Sequence, residues 1–323
     1  MGKVDPIERA LVRLGELRHE SLNAQVTEEL RAALRDRSNL VVAKAAKVAR
    51  ELRATELLPE MVAAFDRLMV NASKLDKRCA AVTELVTAMY EMDYDEPQPY
   101  LVGLKHVQME GSYGPPVDEA AKLRAVSAQG LLRTRYVDAL EEVVALLVDR
   151  EPAARAGAVR ALAANGGEAG GLLLRLKVLT GDEEPAVLAE CFAGLLSAGE
   201  KTVAFVAKYV DVADEAIAET AMLALGESRL PAAYDVLKEK WERTVSAAVR
   251  KVLLAAMAAS RLEEAVQFLV SVVENGGVST AKDALEALSI YRSNERVVAA
   301  VRHAVEAGKE RGLGEQFRRE FEA

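Results

Sequence analysis

Histidine, cysteine and tryptophan are scarce in this chain: of 323 residues, three are histidine, two cysteine and one tryptophan. Cys79 and Cys191 lie far apart inside apolar stretches, and neither belongs to a CxxC pair. They read as reduced core thiols rather than a disulfide or metal pair. Aromatic residues make up only 5%, while Ala, Leu, Val and Glu dominate, a mixture that favours helices over sheets. No apolar run is long enough to cross a bilayer. The first twenty residues are too charged for a signal peptide, and Pro6 stands where a myristoylation signal needs Ser or Thr. A cytoplasmic location with no membrane contact is therefore expected. There is no GxSxG and no glycine-rich phosphate loop. The glycines at 166, 167, 170 and 171 read as a helix stop and a close helix crossing. The adjacent Glu141 and Glu142 point different ways on a helix and read as a solvated face. These absences predict no enzymatic activity, no cofactor and no metal.

The charge that is present is uneven. The net value is −8, which argues against general nucleic-acid binding. Residues 84–119 carry eight acids against Lys105, giving −7. Residues 182–219 carry nine acids against Lys201 and Lys208, again −7.

What fills the chain is a repeat. Anchors at Val42, Lys77, Leu123, Ala154, Val187, Ile217, Val249 and Thr280 follow one another at 35, 46, 31, 33, 30, 32 and 31 residues. Four residues after an anchor the side chain is usually small (Ala46, Ala81, Ser127, Ala158, Cys191, Ala221, Ala284). Seven after it, it is again small (Ala49, Gly130, Ala161, Gly194, Ala224, Ala256, Ala287). Eight after it stands Leu in most units. Offsets of zero, four, seven and eight share one helical face, and the small positions let another helix approach. A second apolar helix follows in each unit, and one such hairpin cannot bury its face without stacked neighbours. Pro6, Pro59, Pro152, Pro185 and Pro231 suit the first turn of a helix. The pattern predicts an all-α solenoid of about eight hairpins running through one domain, 1–323. Within it, residues 1–36 form an N-terminal cap, 37–92 the first repeats, 93–119 an irregular insertion, 120–307 regular repeats and 308–323 a cap helix.

The segments PAARAGAVRALAANG (152–166) and EPAVLAECFAGLLSAG (184–199) resemble HEAT repeats of the phycobilisome-lyase type, over roughly residues 36–307. The resemblance implies a right-handed superhelix whose second helices line a concave side. Relatives of that fold include bilin lyase subunits, deoxyhypusine hydroxylase, bacterial alkylpurine DNA glycosylases and many scaffolds. The hydroxylases hold two irons on repeated His-Glu pairs, and here only His19-Glu20 forms such a pair, in the N-terminal cap. His106 and His303 read as ordinary helix residues. A glycosylase needs a basic concave face with aromatics, whereas Trp241 falls at apolar spacing from Leu237 and reads as core.

Two features remain as candidate partner-binding sites. Arg175, Lys208 and Lys238 each lie 21 residues after their anchors, so in stacked units they form a cationic ladder on the second helices; Lys177 and Lys240 share a neighbouring offset. Alternatively, these long cations line a solvated face. The insertion contains DYDEPQP and MEGSYGPPVDE, with Tyr94, Tyr100 and Tyr113 as candidate contacts. Gly111, Gly114, Pro115 and Pro116 forbid a regular helix there. Tyrosines among acids suit a basic partner, or the segment is a tolerated loop. The reading that follows is a cytoplasmic, bacterial-style scaffold that binds a protein partner, with nucleic acid disfavoured. The alternatives are a bilin-lyase-like chromophore handler and a nucleic-acid binder.

Overall fold

The computed structural model describes residues 5–111, 114–308 and 312–322. The chain is an all-α stack of helical hairpins, as the repeat predicts. It divides into two compact units, Met1–Leu173 and Leu174–Ala323. Unit 1 holds α1 (Pro6–Leu17), α2 (Ala24–Leu34), α3 (Asn39–Glu51), α4 (Leu58–Met69), the short α5 (Ala72–Leu75), α6 (Ala80–Glu91), α7 (Gln98–Lys105), α8 (Ala121–Arg133), α9 (Ala139–Val144) and α10 (Pro152–Asn165). The division falls within α11 (Gly167–Thr180). Unit 2 continues with α12 (Pro185–Leu196), α13 (Val203–Val206), α14 (Glu215–Glu227), α15 (Pro231–Arg243), α16 (Ala247–Ser260), α17 (Glu263–Asn275), α18 (Val278–Leu288), α19 (Glu295–Ala307) and α20 (Leu313–Phe321). Between α7 and α8 a small antiparallel hairpin pairs β1 (Met109–Glu110) with β2 (Val117–Asp118).

The anchor-bearing helices pack in series. In unit 1, α3 lies on α6, α6 on α8 and α8 on α10. In unit 2, α12, α14, α16 and α18 follow in the same way, and α20 covers α18 and α19. The small positions sit at these crossings: Ala46, Ala158, Ala221 and Ala284 are fully buried. Glycine is required at two of them. A Cβ on Gly157 would collide with Ala125 of α8, and one on Gly226 with the Ala256 carbonyl of α16. Between the small residues sit large ones such as Leu85, Leu123 and Leu131, each fully buried and each contributing about 1.5–3 kcal/mol of transfer free energy.

One anchor needs correction. Lys77 lies in a single helical turn, followed by Arg78 and Cys79 at φ 61° and 50°, so it is not on the α6 face. The register of α6 starts at Ala81: Ala81, Leu85, Ala88 and Met89 are the buried residues at zero, four, seven and eight. A misplaced anchor four residues early explains why the pattern met Glu84 where a small residue belongs. The corrected register shares the long gap between two intervals, 42 to 81 and 81 to 123.

Two further periodic features emerge with that register. Five residues before the anchor stands an aspartate: Asp76, Asp118, Asp149 and Asp182. Each accepts backbone N–H bonds at the entry to the next helix: Asp76 from Ala81 and Val82, Asp118 from Ala120, Asp149 from Glu151 and Asp182 from Glu184. These bonds satisfy N–H groups that a helix start leaves open. Twelve residues after the anchor the chain turns through a left-handed residue: Asp93, Arg135, Gly199, Arg229 and Arg261, all with positive φ.

The segment 93–119 is less irregular than its prolines suggest. Pro97 is the N-cap of α7 and Pro99 lies in its first turn, where proline opens a helix rather than breaking it. Thus α7 is an ordinary second helix, packed on α8. Only the stretch after it departs from the hairpin pattern.

Candidate functional site

The hairpin β1–β2 is held down by a buried polar cluster. Arg124, one residue after its anchor, sends one guanidinium nitrogen to Asp118 at 2.8 Å and to the His106 carbonyl at 2.8 Å. Two others bind Asp149 at 2.9 and 3.0 Å. The side chains of Arg124 and Asp118 are 4% and 7% exposed. Burial pushes the Asp118 carboxyl up, but N–H donors from Gln108 and Ala120 and the Arg124 guanidinium outweigh it and hold it below the usual carboxylate range. The Gln108 side chain donates to the Asp76 carbonyl at 2.9 Å and to Glu110 at 2.6 Å. Arg155 and Arg250 repeat the theme, donating to the carbonyls of Asp149 and Thr244, each five residues before an anchor.

This cluster changes the meaning of the local charge. Glu91 is paired with Arg50, Asp93 with Arg133, Asp118 with Arg124 and Glu119 with Arg78. Glu110 accepts from the Arg78 backbone N–H at 2.9 Å. Four arginines from outside residues 84–119 thus pair with four of its acids, and the local excess of negative charge is smaller than the −7 of the sequence count.

Beside the hairpin, α7 forms one wall of an open groove of about 480 Å³ within unit 1. Met69 from α4, Leu101 and Val102 from α7, and Tyr136 from the α8–α9 turn supply its apolar lining. Two charged residues lining it, Lys105 and Glu142, bind each other at 2.7 Å. Val70 and Val137, next in sequence to Met69 and Tyr136, are 84% and 87% exposed.

The candidate tyrosines fare differently. Tyr100 is fully buried, its ring pressed against Gly130 of α8, and its hydroxyl donates to the Tyr94 carbonyl at 2.9 Å. It is a core residue and offers no ring to a partner; its apolar spacing within α7 is the signal that places it there. Tyr94 is half-buried, beside Glu96, Asp66 and Asp95. Tyr113 lies outside the described residues.

The second-helix cations of unit 2 are not alike. Arg175 rests on the Phe205 ring and Lys238 on the Phe268 ring, both 4.8 Å from the centroid. Lys208 is exposed. Of the neighbouring offset, Lys177 is buried against Asp182 at 2.8 Å and Lys240 binds Asp211 at 2.7 Å, so those two are structural. Trp241 meets Phe268 edge-on at 5.6 Å and carries the Arg250 guanidinium on its face. Cys79 and Cys191 are buried, and burial pushes both thiols up to about 12, which keeps them protonated and poorly nucleophilic.

No family model matches the sequence, and no curated protein matches it. Among solved structures the chain is similar to an engineered protein determined by a structural genomics consortium, with 18% identity, coverage of 99% of this chain and 96% of that one, and a TM-score of 0.40. It is also similar to a chain in the complex of CpcE and CpcF of phycocyanin lyase from Nostoc, with 14% identity, coverage of 90% and 97%, and a TM-score of 0.36. The second structure also corrects the expectation of no enzymatic activity: a chain similar along most of its length is named as part of a lyase. Among the described residues, no helix is long and apolar enough to cross a membrane.

Proposed function

We propose that this chain is a helical-repeat protein of the phycobilisome-lyase HEAT-like type that binds a protein partner through the second-helix groove of unit 1. The observation that carries the reading is the groove itself. Its lining is mixed, with Met69, Leu101, Val102 and Tyr136 set among Gln98, His106 and a mutually neutralised Lys105–Glu142 pair, and exposed Val70 and Val137 adjoin its lining residues in sequence. Such a surface suits the apolar face of a partner helix, which docks through residues at helical spacing. Two buried, protonated thiols suit a cytoplasmic setting. Tyr94 remains a candidate contact on unit 1, and Arg175, Lys208 and Lys238 remain candidate contacts on unit 2; Tyr100 does not, and Tyr113 lies outside the described residues.

The test is affinity capture by wild type and by Leu101→Asp, at low and high salt, with the absorbance of the recovered material recorded. One discrete protein should be retained by wild type at both salt levels, because apolar docking is not screened. Leu101→Asp should lose most of it while keeping its helical circular dichroism. Equal recovery by both proteins would overturn the assignment. A visible absorption band lost with Leu101→Asp would replace it with handling of a chromophore, and an excess at 260 nm with nucleic-acid binding.

A further inference from the structure

In two successive repeats of unit 2 the left-handed turn between the first and second helix is occupied by arginine, where glycine would fit without strain. Arg229 and Arg261 have φ of 57° and 55°. Each stands twelve residues after its anchor, within the same Ser-Arg-Leu sequence. The turn is closed in the same way both times. The Ser228 hydroxyl donates to the Leu225 carbonyl at 2.6 Å and accepts from the Leu230 N–H at 3.3 Å. The Ser260 hydroxyl donates to the Met257 carbonyl at 2.6 Å and accepts from the Leu262 N–H at 3.4 Å. The serine builds the turn, so the arginine side chain is not what makes it. A left-handed conformation costs a residue with a Cβ roughly 1 kcal/mol or more relative to glycine, so local stability favours glycine at these two positions.

The next repeat continues the row. Arg292 lies twelve residues after Thr280 and follows α18 with an ordinary right-handed φ of −54°. Because α14 packs on α16 and α16 on α18, equal offsets place the three arginines side by side, at the roughly 8–10 Å separation of packed helices. All three are exposed, and none is in an ion pair among the described residues. Tyr291 lies near two of them: burial pushes its phenol up, while Arg261 and Arg229 both draw it down. Its hydroxyl donates to the Ala258 carbonyl at 2.6 Å, which ties the ring to α16. Unit 1 has the same kind of turn without a row: Arg135 is left-handed and exposed in a turn closed by Thr134, but its neighbours at that offset are Asp93 and Gly166, while Arg53 donates to the Glu91 carbonyl at the end of α6 at 3.1 Å.

We propose that Arg229, Arg261 and Arg292 form a docking edge for an acidic segment of a protein partner. Guanidinium groups bind carboxylates in bidentate fashion. A row spaced at about 10 Å matches an extended strand bearing an acid at every third residue, at about 3.3 Å per residue. The chain's net charge of −8 repels a nucleic acid strand, with a phosphate about every 3.4 Å, more strongly than a segment that bears one acid in about three residues. The edge lies in unit 2, on the turns rather than on the second helices, so it stands independently of the groove in unit 1.

The experiment uses the full chain and a short fluorescein-labelled peptide with glutamate at every third position in a glycine-serine background. A glutamine version of the peptide and a labelled single-stranded oligonucleotide serve as comparisons. Anisotropy should show binding of the glutamate peptide that weakens as salt is added, with no binding of the glutamine peptide. Replacing all three arginines with glutamine should weaken it at least about fivefold, since each exposed pair contributes a modest factor. The double variant Arg229→Gly, Arg261→Gly keeps the proposal open to failure if glutamine disturbs the turns. Glycine suits the left-handed positions, so this variant should melt no lower than wild type and yet bind the peptide more weakly. Equal binding by wild type and both variants would overturn the proposal, as would absence of binding by wild type. Tighter, arginine-dependent binding of the oligonucleotide would overturn the choice of an acidic protein segment.

Discussion

The repeats of unit 2 and the α6–α8 stretch of unit 1 are built on the same hairpin but held by different forces. In unit 2 the helices α12, α14, α16 and α18 recur every 30 to 32 residues. They meet through small residues such as Ala221 and Gly226, with leucines filling the spaces between. In unit 1 the intervals lengthen, a β-hairpin is inserted after α7, and a buried cluster of Arg124, Asp118, Asp149, Gln108 and Asp76 replaces part of the apolar packing. Apolar contacts tolerate only a fixed helix-to-helix distance, because close packing leaves no room for an extra residue. Directional hydrogen bonds can reach across an irregular stretch, and they fix its backbone wherever each polar group finds a partner. The interruption is therefore pinned at its base rather than left as a free loop.

The sharpest way to break this contrast is to remove the cation at its centre. Arg124→Ala leaves Asp118 and Asp149 buried without their guanidinium, and removing one partner from a buried pair costs about 3–5 kcal/mol. Urea unfolding should show a loss of that size; one below about 1 kcal/mol would show that solvent already reaches the cluster. In the regular stack the corresponding change is one of volume. Ala221→Phe at the crossing of α14 should cost about 1–3 kcal/mol or more through overpacking, and an unchanged melting temperature would refute the register that puts Ala221 at the contact. The smallest effect concerns the second-helix cations. Lys238→Ala removes a cation from the Phe268 face and should lower stability by about 0.5–1 kcal/mol, whereas Lys208→Ala, at an exposed position, should stay within about 0.5 kcal/mol. A reversal of that order would mean that Lys238 is not held on the ring.

Much of the candidate surface was only half visible beforehand. The insertion drew attention to this neighbourhood, yet it singled out Tyr100, which the core absorbs, and it passed over Met69 and Leu101, which with Tyr136 line the groove. These three come from α4, α7 and the α8–α9 turn, and no spacing rule joins them. The charge count over 84–119 was incomplete for a similar reason: Arg50, Arg124 and Arg133 lie outside that window, and only folding brings them to its acids. The left-handed turns also escaped notice because they carry arginine or aspartate where glycine or asparagine is the usual sign.

The sequence by itself determined the helical hairpin, its period and the face on which small residues lie, because helix geometry ties offsets of four, seven and eight to one side regardless of what packs there. It also determined the helix starts marked by proline and most of the anchors. Only the tertiary structure decided the register of α6, the pairing of Arg124 with Asp118 and Asp149, and the approach of Arg229 and Arg261 to Tyr291. Most of these join residues of different helices, and a distance across stacked helices is set by how closely their side chains pack rather than by any interval along the chain.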